Sequence, residues 1–374
     1  MTPHPYELLG VERVLNAADT ITSLGGGPLD PRVLASMAAA ATAYVDMTDY
    51  LARAGAHLAE RIGVPDALVT NSAVSGVALA VAAAIAGDTP AAVDAAPAHR
   101  TDRTEVVVLC AQRNPYDRAV GIGGGRIVTA GYSDGTTRWQ VEAEIGPRTA
   151  ALLWYAGTQF EHYALGLADM VAIAEASGLP VIVDAAAQVP PVTNLRRYVD
   201  DGAAAVAFSG GKGLRGPQDT ALLVGGDLVG VARAHAFPHY GIGRGMKVSK
   251  EGVAGLVTAV GLALDADDDA DYAALLARCL AWGDALAGLP GVRTSTVPDG
   301  VLGQHTPRLR VDLDPGLGDG LQLAARLRAG RPAVVVRTEE TVPGAVFLNP
   351  FPLPPEDDEL VVDALRTALA GLAG

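Results

Sequence analysis

The sequence predicts an α/β protein with a mostly parallel central sheet and a smaller C-terminal α+β domain. Three observations predict it. From about residue 67, short runs rich in Val, Ile and Leu recur, continuous rather than alternating, as strands buried on both faces do. Helix-length stretches separate several of these runs, the order that winds a parallel sheet. Past about residue 246 the pattern changes to long helices and then to shorter strand-like runs.

Each element follows from its residues. The expected strands are EVVVLC (105–110), RIVTAG (126–131), TAALLWYA (149–156), PVIVD (180–184), AAVAFS (204–209) and TALLVG (220–225). GLADMVAIAEASG (166–178) reads as a helix ending in Gly. The most apolar segment, Ala67–Gly87, has a continuous apolar run of only ten residues, Val77–Ala86, too short to cross a membrane, so it reads as a buried helix. From Lys250 a long helix, interrupted by acidic residues at 265–271, joins a large domain to a small one. In the small domain RLRVDL (308–313), AVVVRT (333–338) and AVFLN (345–349) read as strands, and EDDELVVDALRTALAGLAG closes the chain as a helix. The expected organisation is an N-terminal segment over 1–25, a large domain over 26–245, and a linking helix with a small domain over 246–374.

Composition narrows the function. The chain has 374 residues, 49% of them hydrophobic, enough for one large or two moderate cores. A net charge of -14 with no Lys/Arg run argues against a nucleic-acid surface. Cys110 and Cys279, in apolar surroundings and without CxxC spacing, give neither a disulfide frame nor a metal site and fit a reduced cytoplasm. The opening MTPHPYELLG lacks the basic-then-apolar order of a signal peptide.

In open α/β sheets, ligands bind beyond the carboxyl ends of the strands. Three such places carry polar residues. Lys212 stands in FSGGKGLRGPQDT, directly after a buried strand and among glycines that permit close backbone approach; a lysine able to lose its proton forms Schiff bases with carbonyl compounds. The competing reading is a solvated turn lysine. Asp184 ends VIVD, where an acid either caps the next helix or serves as the anion that keeps a pyridine nitrogen protonated. TNSAVSG (70–76) opens a helix whose free N–H groups suit phosphate, or are capped by Ser72 or Asn71. No GxGxxG lies between a strand and a helix, and there is no GxxxxGK[ST], so a nucleotide is not favoured.

A helix start for phosphate, an aspartate for a ring nitrogen and a lysine for an aldehyde describe pyridoxal phosphate, in the chain order of fold type I, the aspartate-aminotransferase fold. PVIVDAAAQVPPVTNLRRY and FSGGKGLRGPQ resemble the selenocysteine-synthase-like branch of these enzymes, which includes D-glucosaminate-6-phosphate ammonia-lyases. LNAADTITSLGGGPLDPRVLASM, YVDMTDYLARAG, QRNPYDRAV and HYGIGRGMKVSKEGVAGL continue the resemblance, which covers about residues 11–260 and weakens towards the end. It implies a three-layer fold with Lys212 carrying the cofactor and moving the Cα proton, and Asp184 on the ring nitrogen. It also implies that the Ala73 and Val74 amides, with the Ser72 and Ser209 hydroxyls, cradle the phosphate. Gln188 would reach the ring hydroxyl, although its spacing from Asp184 is one longer than in the common DxxQ pattern. Arg113, Asn114 and Tyr116 would line the site, with Arg215 just past the lysine. Arg244 and Lys247 resemble a basic loop that approaches the site, often from a partner chain, so a homodimer or higher homo-oligomer is expected. Arg337 is a candidate for the substrate carboxylate, or else an ion-pair partner of Glu339 or Glu340.

The chain departs from the lyase pattern in places. Lyase-like relatives tend to read RGHRNPYD, and here the stretch is CAQRNPYD, which puts Gln112 where a histidine stacks on the ring or protonates a leaving group. TSGAAAG becomes TNSAVSG, and a glycine near the N-terminus becomes Asp19. The resemblance implies chemistry at the Cα of an amino acid, with α,β-elimination to a keto acid as the expected reaction. Racemisation or epimerisation is the alternative favoured by Gln112, and transamination differs by few groups. Selenium transfer on seryl-tRNA is opposed by the acidic charge and the short N-terminus, and a non-catalytic binding module by the presence of both Lys212 and Asp184.

Overall fold

The computed structural model describes residues 5–372. Residues 1–4 of the expected N-terminal segment and 373–374 of the closing tail lie outside the described residues. The chain divides into two compact units. The larger holds Leu29–Ala266 and Val301–Gln304; the smaller holds the described residues up to Pro28, Asp267–Gly300, and those from His305 on. Strand β1 (Val14–Asn16) belongs to the smaller unit.

The larger unit is built on a seven-stranded sheet. Its strands are β2 (Asp66–Thr70), β3 (Glu105–Leu109), β4 (Arg126–Ala130), β5 (Thr149–Tyr155), β6 (Val181–Asp184), β7 (Ala205–Ser209) and β8 (Ala221–Gly225), in the spatial order β2-β8-β7-β6-β5-β3-β4. The run from β4 to β7 is parallel throughout, and β8 is antiparallel to both its neighbours, so β2 points the same way as β7. Side chains alternate between two cores. Val106, Val108, Leu153, Ile182, Ala207 and Leu223 face helices Ala73–Ala86 and Asp227–His235. Val107, Leu152, Trp154, Val183, Phe208 and Leu222 join the core shared with helices Met47–Ile62, Leu167–Ser177 and Lys250–Leu264. This double burial is why the strands read as unbroken apolar runs.

The six strands expected between 105 and 225 all form. The segment Ala67–Gly87, read as helix, is a strand and a helix: Ala67–Thr70 completes β2, and the helix starts only at Ala73. The strand is as apolar as the helix, because it is sandwiched on both faces and paired along its length with β8. Helix Ala73–Ala86 is Ala-rich because it lies close on the sheet. A Cβ on Gly76 would stand 3.4 Å from that of Ala207.

The smaller unit has an antiparallel sheet of β9 (Val292–Val297), β10 (Arg308–Leu313) and β12 (Ala345–Leu348), ordered β12-β10-β9. Strand β11 (Ala333–Val335) pairs in parallel with β1 and so ties the N-terminal residues into this unit. Helices Asp268–Ala285, Gly320–Ala329 and Asp358–Ala370 complete it. Leu15, Trp282, Leu309, Val311 and Val361 share its core. Arg278 clamps it by holding both oxygens of Asp358 and the Pro350 and Leu353 carbonyls. Among the described residues no helix is long and apolar enough to cross a membrane.

Helix Met47–Ile62 carries a test of this packing. A Cβ built on Gly55 falls 2.3 Å from the Ala67 carbonyl oxygen of β2. Alanine ordinarily favours a helix over glycine by about 1 kcal/mol. A backbone atom so close cannot give way, so Gly55→Ala is expected to lower unfolding stability by about 1–3 kcal/mol in urea titration. A stabilised variant would contradict the close helix–sheet contact.

Candidate active site

Register assembles the site. Tyr155 pairs with Asp184, Asp184 with Ala207, Ser209 with Ala221, and Ala221 with Thr70, so the carboxyl ends of β5, β6, β7 and β2 form one rim. Tyr155, Asp184 and Ser209 share one face by the two-residue period, the face covered by helix Ala73–Ala86. That helix follows β2 after only Asn71 and Ser72, so its N-terminus lies at the same rim.

At the helix start Ser72 is the N-cap. Its Oγ accepts the Ser75 amide at 3.1 Å and lies 2.9 Å from Ser75 Oγ, while Thr70 Oγ1 donates to the Ser72 carbonyl at 2.9 Å. Ala73 and Val74 are the first two helical residues, whose N–H groups precede any intrahelical acceptor. Beside them Asn71 Oδ1 is buried without a hydrogen-bond partner. Asn71 entered the sequence reading only as a possible cap; its position between strand end and helix start is the signal for a larger role.

Asp184 is 8% exposed, and its carboxylate takes one hydrogen bond among the described residues, from the Ala186 amide at 3.0 Å. Burial pushes its pKa up; the Ala186 amide and the positive charge of Lys212 pull it back only in part. A buried anion with unused acceptor capacity suits a cationic N–H. The half-buried Lys212 lies in the turn after β7. The glycines around it let the chain approach itself. A Cβ on Gly213 would fall 1.8 Å from the Val189 carbonyl oxygen, and one on Gly211 2.5 Å from the Gln218 Cα. Arg215 closes the turn through its amide on the Lys212 carbonyl, at 2.9 Å. It is the one non-glycine at positive φ (52°) among the described residues, a conformation that costs about 1 kcal/mol.

The QRNPYD stretch is knitted to the rim. Arg113 pairs with Asp117 and donates to Thr129 Oγ1 at 2.6 Å. Asn114 caps a short turn through the Tyr116 amide and donates to the Gln112 carbonyl. Tyr155 donates its hydroxyl to Asp117 at 3.1 Å; burial, with the charges of Asp184 and Asp117, pushes its pKa well up, so it stays a neutral phenol. Tyr155 and Asp117 escaped the sequence reading, Tyr155 because it sits in an apolar strand; a tyrosine at the last position of a buried strand is the signal that was available.

The other expected residues are distributed as follows. Ser209 ends β7 on the rim. Gln188 is buried, donates to the Leu302 carbonyl at 3.1 Å and accepts from Tyr198 at 3.5 Å. Tyr116 and Lys247 are exposed. Arg244 lies over the rings of Phe237 and Tyr240, at 5.7 and 5.4 Å. Arg337 belongs to the smaller unit, where its backbone pairs with Phe347; Glu339 is taken by Arg308. Gln112, at the expected histidine position, is fully buried, with its amide on the main chain of Tyr155. It has no free surface on which to stack a ring. Nor is there a metal-binding group of His, Cys, Asp or Glu among the described residues.

These residues fit pyridoxal phosphate: free helix-start amides with an orphaned Asn71 oxygen beside them, a buried carboxylate with room for an N–H donor, and a lysine whose charge reaches that carboxylate.

No protein-family model matches the chain. It is 33% identical over 373 residues to the D-glucosaminate-6-phosphate ammonia lyase of Salmonella typhimurium (strain 14028s / SGSC 2262), covering 98% of both chains. It is 34% identical over 378 residues to the 5'-C-glycyluridine monooxygenase-decarboxylase of a Streptomyces species, covering 99% of this chain and 93% of that one. A solved structure of D-glucosaminate-6-phosphate ammonia-lyase matches it with a TM-score of 0.88 and 32% identity over 100% of each chain.

The raised pKa of Asp184 gives a signed prediction. Well below the ordinary aspartate pKa of about 4, folded and unfolded chains both hold its proton. As pH rises the unfolded chain ionises first, so the cofactor-free protein loses stability until the folded pKa is passed. Asp184→Asn is expected to match the parent at acid pH and to be more stable than it at neutral pH in the cofactor-free form, by urea midpoints. A less stable Asn variant at neutral pH would mean that the attraction of Lys212 outweighs burial.

Proposed function

Because the chain belongs to the D-glucosaminate-6-phosphate ammonia-lyase family, we propose that it is a pyridoxal-phosphate-dependent lyase that eliminates ammonia from an amino acid to leave a keto acid. The observation that carries this reading is the meeting of a lysine charge and a buried carboxylate at a rim where a helix presents free amides. Pyridoxal phosphate, when bound, supplies an electron sink for the charge left at Cα.

The residues divide the work. The Ala73 and Val74 amides with the Ser72 and Ser209 hydroxyls would hold the phosphate, where the positive end of the helix favours an anion. Asp184 would keep the ring nitrogen protonated, an ion pair that recovers the burial penalty of its carboxylate. Lys212 would hold the aldehyde and then move the Cα proton on its Nζ. The β-substituent would depart with its electron pair and take up a proton, Lys212 would take the aldehyde back and so free the product as an enamine, and one water would convert that enamine to the keto acid and ammonia. Arg215, beside the lysine, and the basic residues Arg244 and Lys247 are the cations this reading offers to a substrate carboxylate. Gln188 would meet the ring hydroxyl with the N–H or the lone pair that its contacts with Leu302 and Tyr198 leave over. Arg113 and Asn114 would act on the site through the loop they brace, and Tyr116 through its exposed ring. Completion across a pair of protomers and a cytoplasmic setting belong to the same reading; Cys110 and Cys279 are both free.

A second reading is favoured by the comparably identical relative named a monooxygenase-decarboxylase. In it, the same Cα charge is generated by loss of the carboxylate and consumed by oxygen, a fate outside those expected from the sequence. The two readings separate by product. Incubated with candidate amino acids in D₂O, the elimination reading predicts keto acid and ammonia without CO₂. Release of CO₂ with oxygen uptake supports the second, and deuterium at Cα in recovered amino acid supports racemisation. Lys212→Ala is expected to lower kcat by about 10³-fold or more; undiminished turnover would refute its assignment.

A further inference from the structure

The ladder between β3 and β5 runs as far as Val108 opposite Leu153. At Leu109 the first strand stops and the chain turns into a 3-10 helix over Cys110–Gln112. Strand β5 continues for another two residues, and alternation sends the N–H and C=O of Tyr155 towards the space that β3 has left. The side chain of Gln112 fills it. Its Nε2 donates to the Tyr155 carbonyl at 2.9 Å, and its Oε1 accepts the Tyr155 amide at 3.0 Å.

The residue type matters. In a carboxamide the donor and acceptor lie side by side and point the same way, so one group satisfies both main-chain groups of one residue. The nitrogens of an imidazole point apart and cannot do so. Gln112 has no exposed surface, so its bonds are made away from water, where an unpaired N–H or C=O is costly. Its own carbonyl is held in turn by Asn114 Nδ2 at 2.9 Å.

The consequence reaches Asp184 in one step of main chain. Tyr155 is the register partner of Asp184, and the next amide, Ala156, donates to the Asp184 carbonyl at 2.9 Å. The Tyr155 hydroxyl is fixed on Asp117, which Arg113 holds from its other oxygen. We propose that Gln112 is a positioning residue for the ring end of the cofactor: its carboxamide sets the end of β5, and through it the Asp184 carboxylate, and takes no part in proton transfer. The inference rests on the pyridoxal-phosphate reading above and adds that any acid assisting the leaving group lies elsewhere than at position 112.

The test uses the holoenzyme and two variants. Gln112→Leu keeps the bulk and removes both bonds. Gln112→Glu can make them only while protonated, because a carboxylic acid presents the same donor–acceptor pair and a carboxylate does not. Gln112→Leu is expected to weaken binding of pyridoxal phosphate about tenfold and to shift the pH titration of the Lys212-bound absorbance. Gln112→Glu is expected to titrate like the parent at acid pH and like the Leu variant at alkaline pH, a rescue that a defect in folding alone would not give. If Gln112→Leu does not fold, the Gln112→Glu titration decides. A coloured parent with both variants binding and titrating as it does overturns this inference alone. So does a variant that loses kcat with cofactor binding and titration unchanged, because Gln112 would then act on the substrate. A parent that shows no cofactor absorbance overturns both readings.

Discussion

A carboxylate removed from water at the end of a buried strand is the constraint around which this protein is arranged. Asp184 lies in the middle of the sheet, with helices over both faces, and among the described residues its carboxylate receives one hydrogen bond, from the Ala186 amide. Left to itself such a group takes up a proton. Holding it ionised requires positive charge from outside the strand, and the structure supplies part of that charge as Lys212 in the turn after the neighbouring strand. The unmet remainder is what makes the rim a candidate binding site: a cationic N–H placed over Asp184 would gain more there than in water.

The glycine-rich turn solves a placement problem. A lysine has a long, flexible stem, and aiming its amine takes a main chain that is itself fixed. Gly211 and Gly213 let the turn lie against Gln218 and Val189 at distances that a side chain would forbid, and Arg215 accepts a left-handed conformation to close it. These glycines therefore serve contact of the chain with itself. On the other side of Asp184 the end of β5 is held by the Gln112 carboxamide and the Asp117 carboxylate. Rigid supports on both flanks keep a small ionic arrangement in register.

Much of this was legible in the residues. Strands buried on both faces announce themselves by unbroken Val, Ile and Leu, and polar residues at their carboxyl ends stand out, so Lys212 and Asp184 were visible. Strand β2 was not, because DALVT runs into an equally apolar helix and only pairing with β8 separates the two. Strand β9, VRTSTV, escaped because none of it is buried and it is an edge strand beside β10. Strand β1 has three residues, too few for any period to show. In the site, Tyr155 was hidden by its apolar surroundings. The side chain of Gln112 was legible as a departure from the lyase pattern but not as a clamp, because its partner is a main chain 43 residues away.

Reductive trapping tests most directly the covalent bond proposed between the Lys212 amine and the aldehyde of pyridoxal phosphate. The purified protein, loaded with pyridoxal phosphate, is treated with borohydride, digested and mapped by mass spectrometry. The account predicts a single reduced pyridoxyl adduct on the peptide containing Lys212, absent when Lys212 is replaced. An adduct on another lysine, or none on a protein that nevertheless turns over its substrate, would contradict it.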